Sequence, residues 1–114
     1  MLKIYHNSRC GKSRAAMQIL QEKEIEFEVI EYLKTPLNQK QIKALLKKLG
    51  MKAIDLLRKN EELYKSSFKD LHLSEKDWIK VLAENPILIE RPIIENDERA
   101  IIARPPELVE EFVG

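Results

Sequence analysis

The chain has 114 residues and a mass of 13.4 kDa, the size of one domain able to bury about two-thirds of its unfolded surface without staples. Hydrophobic residues make up 44%, which argues against disorder, and 20 basic residues against 19 acidic ones leave a net charge of +1. That balance excludes a protein driven broadly onto nucleic acid or an anionic membrane. No apolar run approaches the roughly 18 residues of a membrane span, and the start, Met1 to His6, has no apolar signal-peptide segment, so a cytoplasmic location is expected.

Leu2-Lys3-Ile4-Tyr5 reads as a short strand, followed by a polar loop over residues 6–11. Ala15, Ala16, Ile19 and Leu20 then recur at helical spacing, and Phe27-Glu28-Val29-Ile30 is the next strand, completing a β-α-β unit. Asn38 is a candidate helix cap. It precedes Ile42, Leu45, Leu46 and Leu49 on one face, and Gly50 is placed to end that helix. A short helix near 54–58, a helical stretch near 61–70 and a helix capped by Ser74 and carrying Trp78, Val81 and Leu82 follow. Ile87-Leu88-Ile89 is predicted as a strand that Arg91-Pro92 interrupts and Ile93-Ile94 resumes, Ala100-Ile101-Ile102 as the returning strand of a hairpin turned at Asn96-Asp97, and a last helix through Leu108, Val109 and Phe112 has proline in its first turn. The order β-α-β, helices, β-β-α predicts an α/β fold. It is a thioredoxin-like mixed four-stranded sheet in a single domain, 1–114, with a helical insert at approximately 38–84.

Cys10 is the one cysteine, so an internal disulfide and a cysteine-rich zinc site are both excluded. His6 and His72 are the only histidines and show no ligand spacing, so no metal site is expected. A lone cysteine is commonly a small buried apolar residue. Here its neighbours are polar, and it stands between a strand end and a helix start, where backbone N–H groups and the helix dipole favour a thiolate. Arg9, Lys12 and Arg14 add positive charge, with His6 adding more when protonated, and Arg14 lies one helical turn beyond Cys10. Ser13 stands where a two-cysteine oxidoreductase carries its resolving thiol. It reads equally as a hydrogen-bond donor to the thiolate and as ordinary early-helix capping. With one cysteine, any redox cycle needs a second thiol from another molecule.

Lysines outnumber arginines fourteen to six, yet Arg58, Arg91 and Arg104 all sit at the ends of predicted elements. An arginine fork binds oxyanions bidentately, so three converging arginines would hold a tetrahedral anion; separately, each is an ordinary surface arginine. Arg99, in the hairpin, is expected on the surface.

Taken in order, Tyr5-His6-Asn7, Cys10-Gly11, Ser13-Arg14, Asp55-Leu56-Leu57-Arg58-Lys59, Asn85-Pro86-Ile87-Leu88-Ile89, Arg91-Pro92-Ile93 and Arg104-Pro105 resemble the glutaredoxin-coupled arsenate reductase family, nearly end to end. The resemblance implies a thioredoxin-like fold with a helical insert and a Cys10 thiol that attacks arsenate. It implies oxyanion binding by Arg58, Arg91 and Arg104, and tuning of the thiolate by His6 and Ser13, beside Arg14. It also implies a cis Arg91–Pro92 peptide, glutathione as co-substrate and glutaredoxin as partner, with no bound cofactor. Ser8-Arg9 stand where such reductases carry small or apolar residues, and Glu90 places an acid beside Arg91. The family also holds thiol reductases of other substrates and Spx-type regulators that bind RNA polymerase. Those regulators typically carry a second cysteine three residues after the first, where this chain has Ser13.

Overall fold

The computed structural model describes residues 1–114, which form two compact units. The first comprises Met1–Thr35 and Arg91–Gly114, the second Pro36–Glu90.

The first unit is built on a four-stranded mixed sheet in the order β2-β1-β3-β4. β1 (Leu2–Tyr5) and β2 (Phe27–Ile30) are parallel and joined by α1 (Gly11–Glu22). β3 (Ile93–Glu95) runs antiparallel to β1, and β4 (Ala100–Ile102) returns beside it as a hairpin. Register follows from the period-two alternation of strand side chains. Ile4 lies opposite Ile94, and both join Ala16 and Leu20 of α1 and Val109 and Phe112 of the last helix in one core cluster. Tyr5 and Glu95 belong to the other alternation, and the Tyr5 hydroxyl donates to Glu95 Oε1 at 2.6 Å, both side chains being buried. Burial, then the hydrogen bond and charge of Glu95, push the Tyr5 phenol far above its ordinary range.

Asn96 shapes the hairpin turn, its Oδ1 accepting from the N–H groups of Glu98 and Arg99 at 2.8 Å each. Arg99 is exposed, as its place in the hairpin predicts. Its guanidinium also lies 4.5 Å over the Phe112 ring and donates to the Phe112 carbonyl at 3.1 Å. The last helix, α6 in chain order, spans Leu108–Val113. The prolines stand just before it rather than in its first turn: the carbonyls of Pro105 and Pro106 accept from the N–H groups of Leu108 and Val109. The Arg91–Pro92 peptide is cis, and so is Arg104–Pro105.

The second unit is helical: α2 (Gln39–Leu49), α3 (Ala53–Leu56), α4 (Glu62–Ser67) and α5 (Glu75–Glu84). Asn38 and Gln41 form a reciprocal capping box at 2.8 and 2.9 Å, and Gly50 ends α2 with φ 69°, a left-handed conformation that glycine adopts without a Cβ penalty. Ser74 caps α5 by accepting from Asp77 N–H at 3.2 Å. Ile42, Leu45 and Leu46 of α2 and Trp78, Val81 and Leu82 of α5 are buried, as their helical spacing predicts. The predicted strand at Ile87–Ile89 is not one. Asn85-Pro86 starts a 3-10 turn, Pro86–Leu88, and Ile89 alone makes an isolated bridge, to Leu57. Proline suits the first position of such a turn because its missing N–H is not needed there, so three apolar residues in a row become a corner.

Candidate active site

Cys10 is the N-cap of α1, with extended backbone angles, φ −96° and ψ 120°, and its carbonyl accepts the first helical bond from Arg14 N–H at 3.0 Å. The preceding turn is closed locally. Cys10 N–H donates to the Asn7 carbonyl at 3.0 Å, and Arg9 N–H donates to Asn7 Oδ1 at 3.0 Å. Asn7, which the sequence shows only as part of a motif, thus builds the bend that lifts the thiol off the end of β1. An Asn side chain that accepts from the backbone two residues on is the available signal.

Ser13 is fully buried in the first turn of α1. Its hydroxyl stands 2.6 Å from His6 Nδ1 and accepts from Asn7 N–H at 3.0 Å. The Ser13 side chain therefore ties strand end, loop and helix start together, and its main-chain N–H serves the sulfur. Burial lowers the pKa of His6; the charge of Glu31 raises it and that of Arg14 lowers it, for a net shift downward. His6 is therefore biased toward its neutral imidazole form.

Burial by itself pushes the Cys10 thiol up. The backbone N–H of Ser13, a hydrogen bond from the Arg91 side chain, the backbone N–H of Lys12 and the Arg91 charge together outweigh it and leave the thiol below its ordinary value. Cys10 as a residue is only partly buried. The side chains of Arg9, Lys12 and Arg14 take no part in this shift.

Arg91 comes to the thiol from the start of β3. It is 8% exposed, yet its Nε and Nη1 are buried without a hydrogen-bond partner. A buried guanidinium with idle donors is costly unless an acceptor arrives, and a tetrahedral oxyanion supplies one. Arg104 follows β4, and Ala103 N–H donates to the Pro92 carbonyl at 2.8 Å, so the hairpin sets the two arginine–proline segments side by side. Arg58 belongs to the second unit. There its N–H donates to the Leu88 carbonyl at 2.6 Å, its Nε lies 3.6 Å from Glu61 Oε1, and its Nη1 is buried without a hydrogen-bond partner. Glu90, in the same unit, donates its N–H to the Leu56 carbonyl at 2.9 Å. No group of three His, Cys, Asp or Glu side chains is placed to hold a metal ion. No helix is long and apolar enough to cross a membrane.

A model of the ArsC family matches residues 5–112. The chain belongs to the ArsC family. Similar chains include the uncharacterized protein YfgD of Escherichia coli (strain K12), 47% identical over 115 residues and covering 99% of this chain and 97% of that protein. The arsenate reductase of Neisseria meningitidis serogroup A (strain Z2491) is 38% identical over 111 residues, 96% of this chain and 95% of that protein. Among solved structures, the arsenate reductase from Vibrio cholerae superposes with a TM-score of 0.91 at 39% identity, over 96% of this chain and 95% of that one. The thioredoxin-like sheet with helices read from the sequence is thus the ArsC fold.

Proposed function

We propose that this ArsC-family oxidoreductase reduces arsenate to arsenite through a covalent adduct on Cys10, with glutathione and glutaredoxin supplying the external thiols. The observation that carries the reading is Arg91: a buried guanidinium that stabilises the Cys10 thiolate and holds two donors in reserve. That pairing suits a nucleophile whose substrate is an oxyanion.

In this reading the Cys10 thiolate attacks arsenic, and one arsenate oxygen leaves as water after protonation. Arg91 and Arg104 hold the remaining oxygens and offset the charge that develops. For Arg58 the support is the family motif and the idle Nη1 within its own unit. A glutathione thiol displaces a second oxygen as water and joins the arsenic. A glutaredoxin or glutathione thiolate then attacks the glutathione sulfur. A sulfur–sulfur bond forms, the sulfur–arsenic pair of electrons stays on arsenic, and As(V) becomes As(III). Water cleaves the remaining Cys10–arsenic bond, releasing arsenite and restoring the thiol. Ser13 and His6 keep the loop in place for each attack, and Arg14 adds charge beside them. No resident cofactor is needed. The reliance on a reduced glutathione pool matches a cytoplasmic setting.

The test is arsenite release from arsenate in the presence of glutathione and glutaredoxin. The parent is expected to turn over, Cys10→Ser to be inactive, and omission of glutathione to stop the reaction. An inactive parent whose Cys10 is still reactive would overturn arsenate as the substrate and favour a thiol reductase acting on something else.

A further inference from the structure

One buried polar pair takes no part in the chemistry assigned so far. Tyr5 on β1 and Glu95 on β3 are 7% and 8% exposed, and strand alternation puts both on the sheet face opposite Ile4 and Ile94. The Tyr5 hydroxyl donates to Glu95 Oε1 at 2.6 Å. Tyr5 stands opposite Ile93 and Lys3 opposite Glu95, so this hydrogen bond runs diagonally across the ladder. Glu28 on β2 adds its charge to the same neighbourhood. A buried carboxylate costs more than an apolar side chain of its size, but it specifies register. Shifting β3 by one residue would turn Glu95 onto the apolar face of Ile4 and Ile94, away from its donor, a penalty that no apolar residue would impose.

Arg91 depends on that register. Its side chain hydrogen-bonds Cys10, while its Nε and Nη1 are buried without a hydrogen-bond partner. The guanidinium is therefore placed chiefly by its own main chain. On the β1 side that main chain is held only as far as the Tyr5–Ile93 pair, where the ladder stops, and Pro92, which has no N–H, stands between that pair and Arg91. On the other side Ala103 N–H donates to the Pro92 carbonyl. β4 has β3 as its one neighbour in the sheet, so this bond fixes the hairpin within itself and not against β1. We propose that the Tyr5–Glu95 hydrogen bond locks the β3–β4 hairpin in register on β1 and so positions the Arg91 guanidinium against Cys10, which makes Tyr5 a positioning residue for the thiolate. This deepens the proposed function and rests on its use of that thiolate.

The test follows Cys10 alkylation by iodoacetamide against pH, without arsenate. Tyr5→Phe deletes the hydroxyl and keeps the ring. The midpoint of the profile is expected to rise by about half a pH unit toward the free-thiol value as Arg91 loses its place. In an Arg91→Gln background the same substitution should raise the midpoint no further, because the effect runs through Arg91; a general loosening of the sheet would raise it in both backgrounds. Glu95→Gln keeps an acceptor for the hydroxyl and should show no rise. If Tyr5→Phe does not fold, because it strands a buried carboxylate, Tyr5→Phe combined with Glu95→Gln carries the same comparison against Glu95→Gln alone. An unchanged midpoint on loss of the hydroxyl, a rise in Glu95→Gln, or an equal rise in the Arg91→Gln background would overturn the lock. A rise confined to the Arg91 parent, in a protein that releases no arsenite, would support the lock while overturning arsenate as substrate, so the two claims fail separately.

Discussion

At the scale of single residues, the site is a division of labour between main chain and side chain. The N–H groups of Ser13 and Lys12 and the guanidinium of Arg91 stabilise the Cys10 thiolate, while the Ser13 hydroxyl is occupied with His6 and Asn7. The rate of Cys10 alkylation by iodoacetamide against pH should therefore show a midpoint below the roughly 8.5 of a free thiol; a midpoint at or above it would contradict the assignment. The same shift has a sign for stability. The folded thiol ionises more readily than the unfolded one, so its contribution is full above the unfolded pKa and is lost as pH falls through the folded pKa. Arg91→Lys keeps a charge but loses the planar fork. It should weaken sulfate or arsenate binding by about ten- to hundred-fold in calorimetry, the loss expected for a charged hydrogen bond of roughly 1.5–3 kcal/mol. Unchanged binding would mean that the idle donors of Arg91 do not serve the anion. Ser13→Ala strands Asn7 N–H and the His6 ring nitrogen, and should cost about 1–3 kcal/mol in denaturant unfolding. The cysteine and its polar surroundings were legible in the sequence because they lie within a few residues. The closure of Ser13 on His6 was not, because it depends on where β1 ends relative to the first turn of α1.

At the scale of elements, local chemistry and local pattern carried most of the information. Asn38 with Gln41, Gly50 with its positive φ, and Ser74 with Asp77 N–H are signals complete within four residues of chain, and each is where the sequence places it. Ile87-Leu88-Ile89 misleads for a complementary reason: an apolar triplet names burial, not conformation, and Pro86 decides in favour of a turn. Strand order is another property that no local pattern contains. β3 inserts beside β1 because antiparallel pairing sets Ile94 opposite Ile4, a contact between residues far apart in the chain. Two substitutions test the helical unit. Leu82 is fully buried in α5, so Leu82→Ala should destabilise by about 2–5 kcal/mol in urea unfolding. Asn38→Ala removes one half of the capping box and should cost about 0.5–2 kcal/mol. If the two losses were equal and near zero, the packing face of α5 and the cap of α2 would both be misassigned.

At the scale of the whole molecule, the proposed function needs a reactive sulfur and a place for an oxyanion side by side. The strand-to-helix bend supplies the first, and the β3–β4 hairpin brings in Arg91 and sets Arg104 beside Pro92. The sequence displayed these arginines at element ends, but only the paired backbone of Ala103 and Pro92 makes neighbours of their segments. The measurement that tests this union most directly is protection of the thiol. The rate of Cys10 alkylation by iodoacetamide is followed as arsenate is added, with chloride at the same ionic strength as the control. The account predicts a saturable slowing by arsenate, absent with chloride and shifted to higher arsenate concentration in Arg91→Lys. Alkylation at the same rate at every arsenate concentration would contradict it, because the thiolate and the anion would then not share a site.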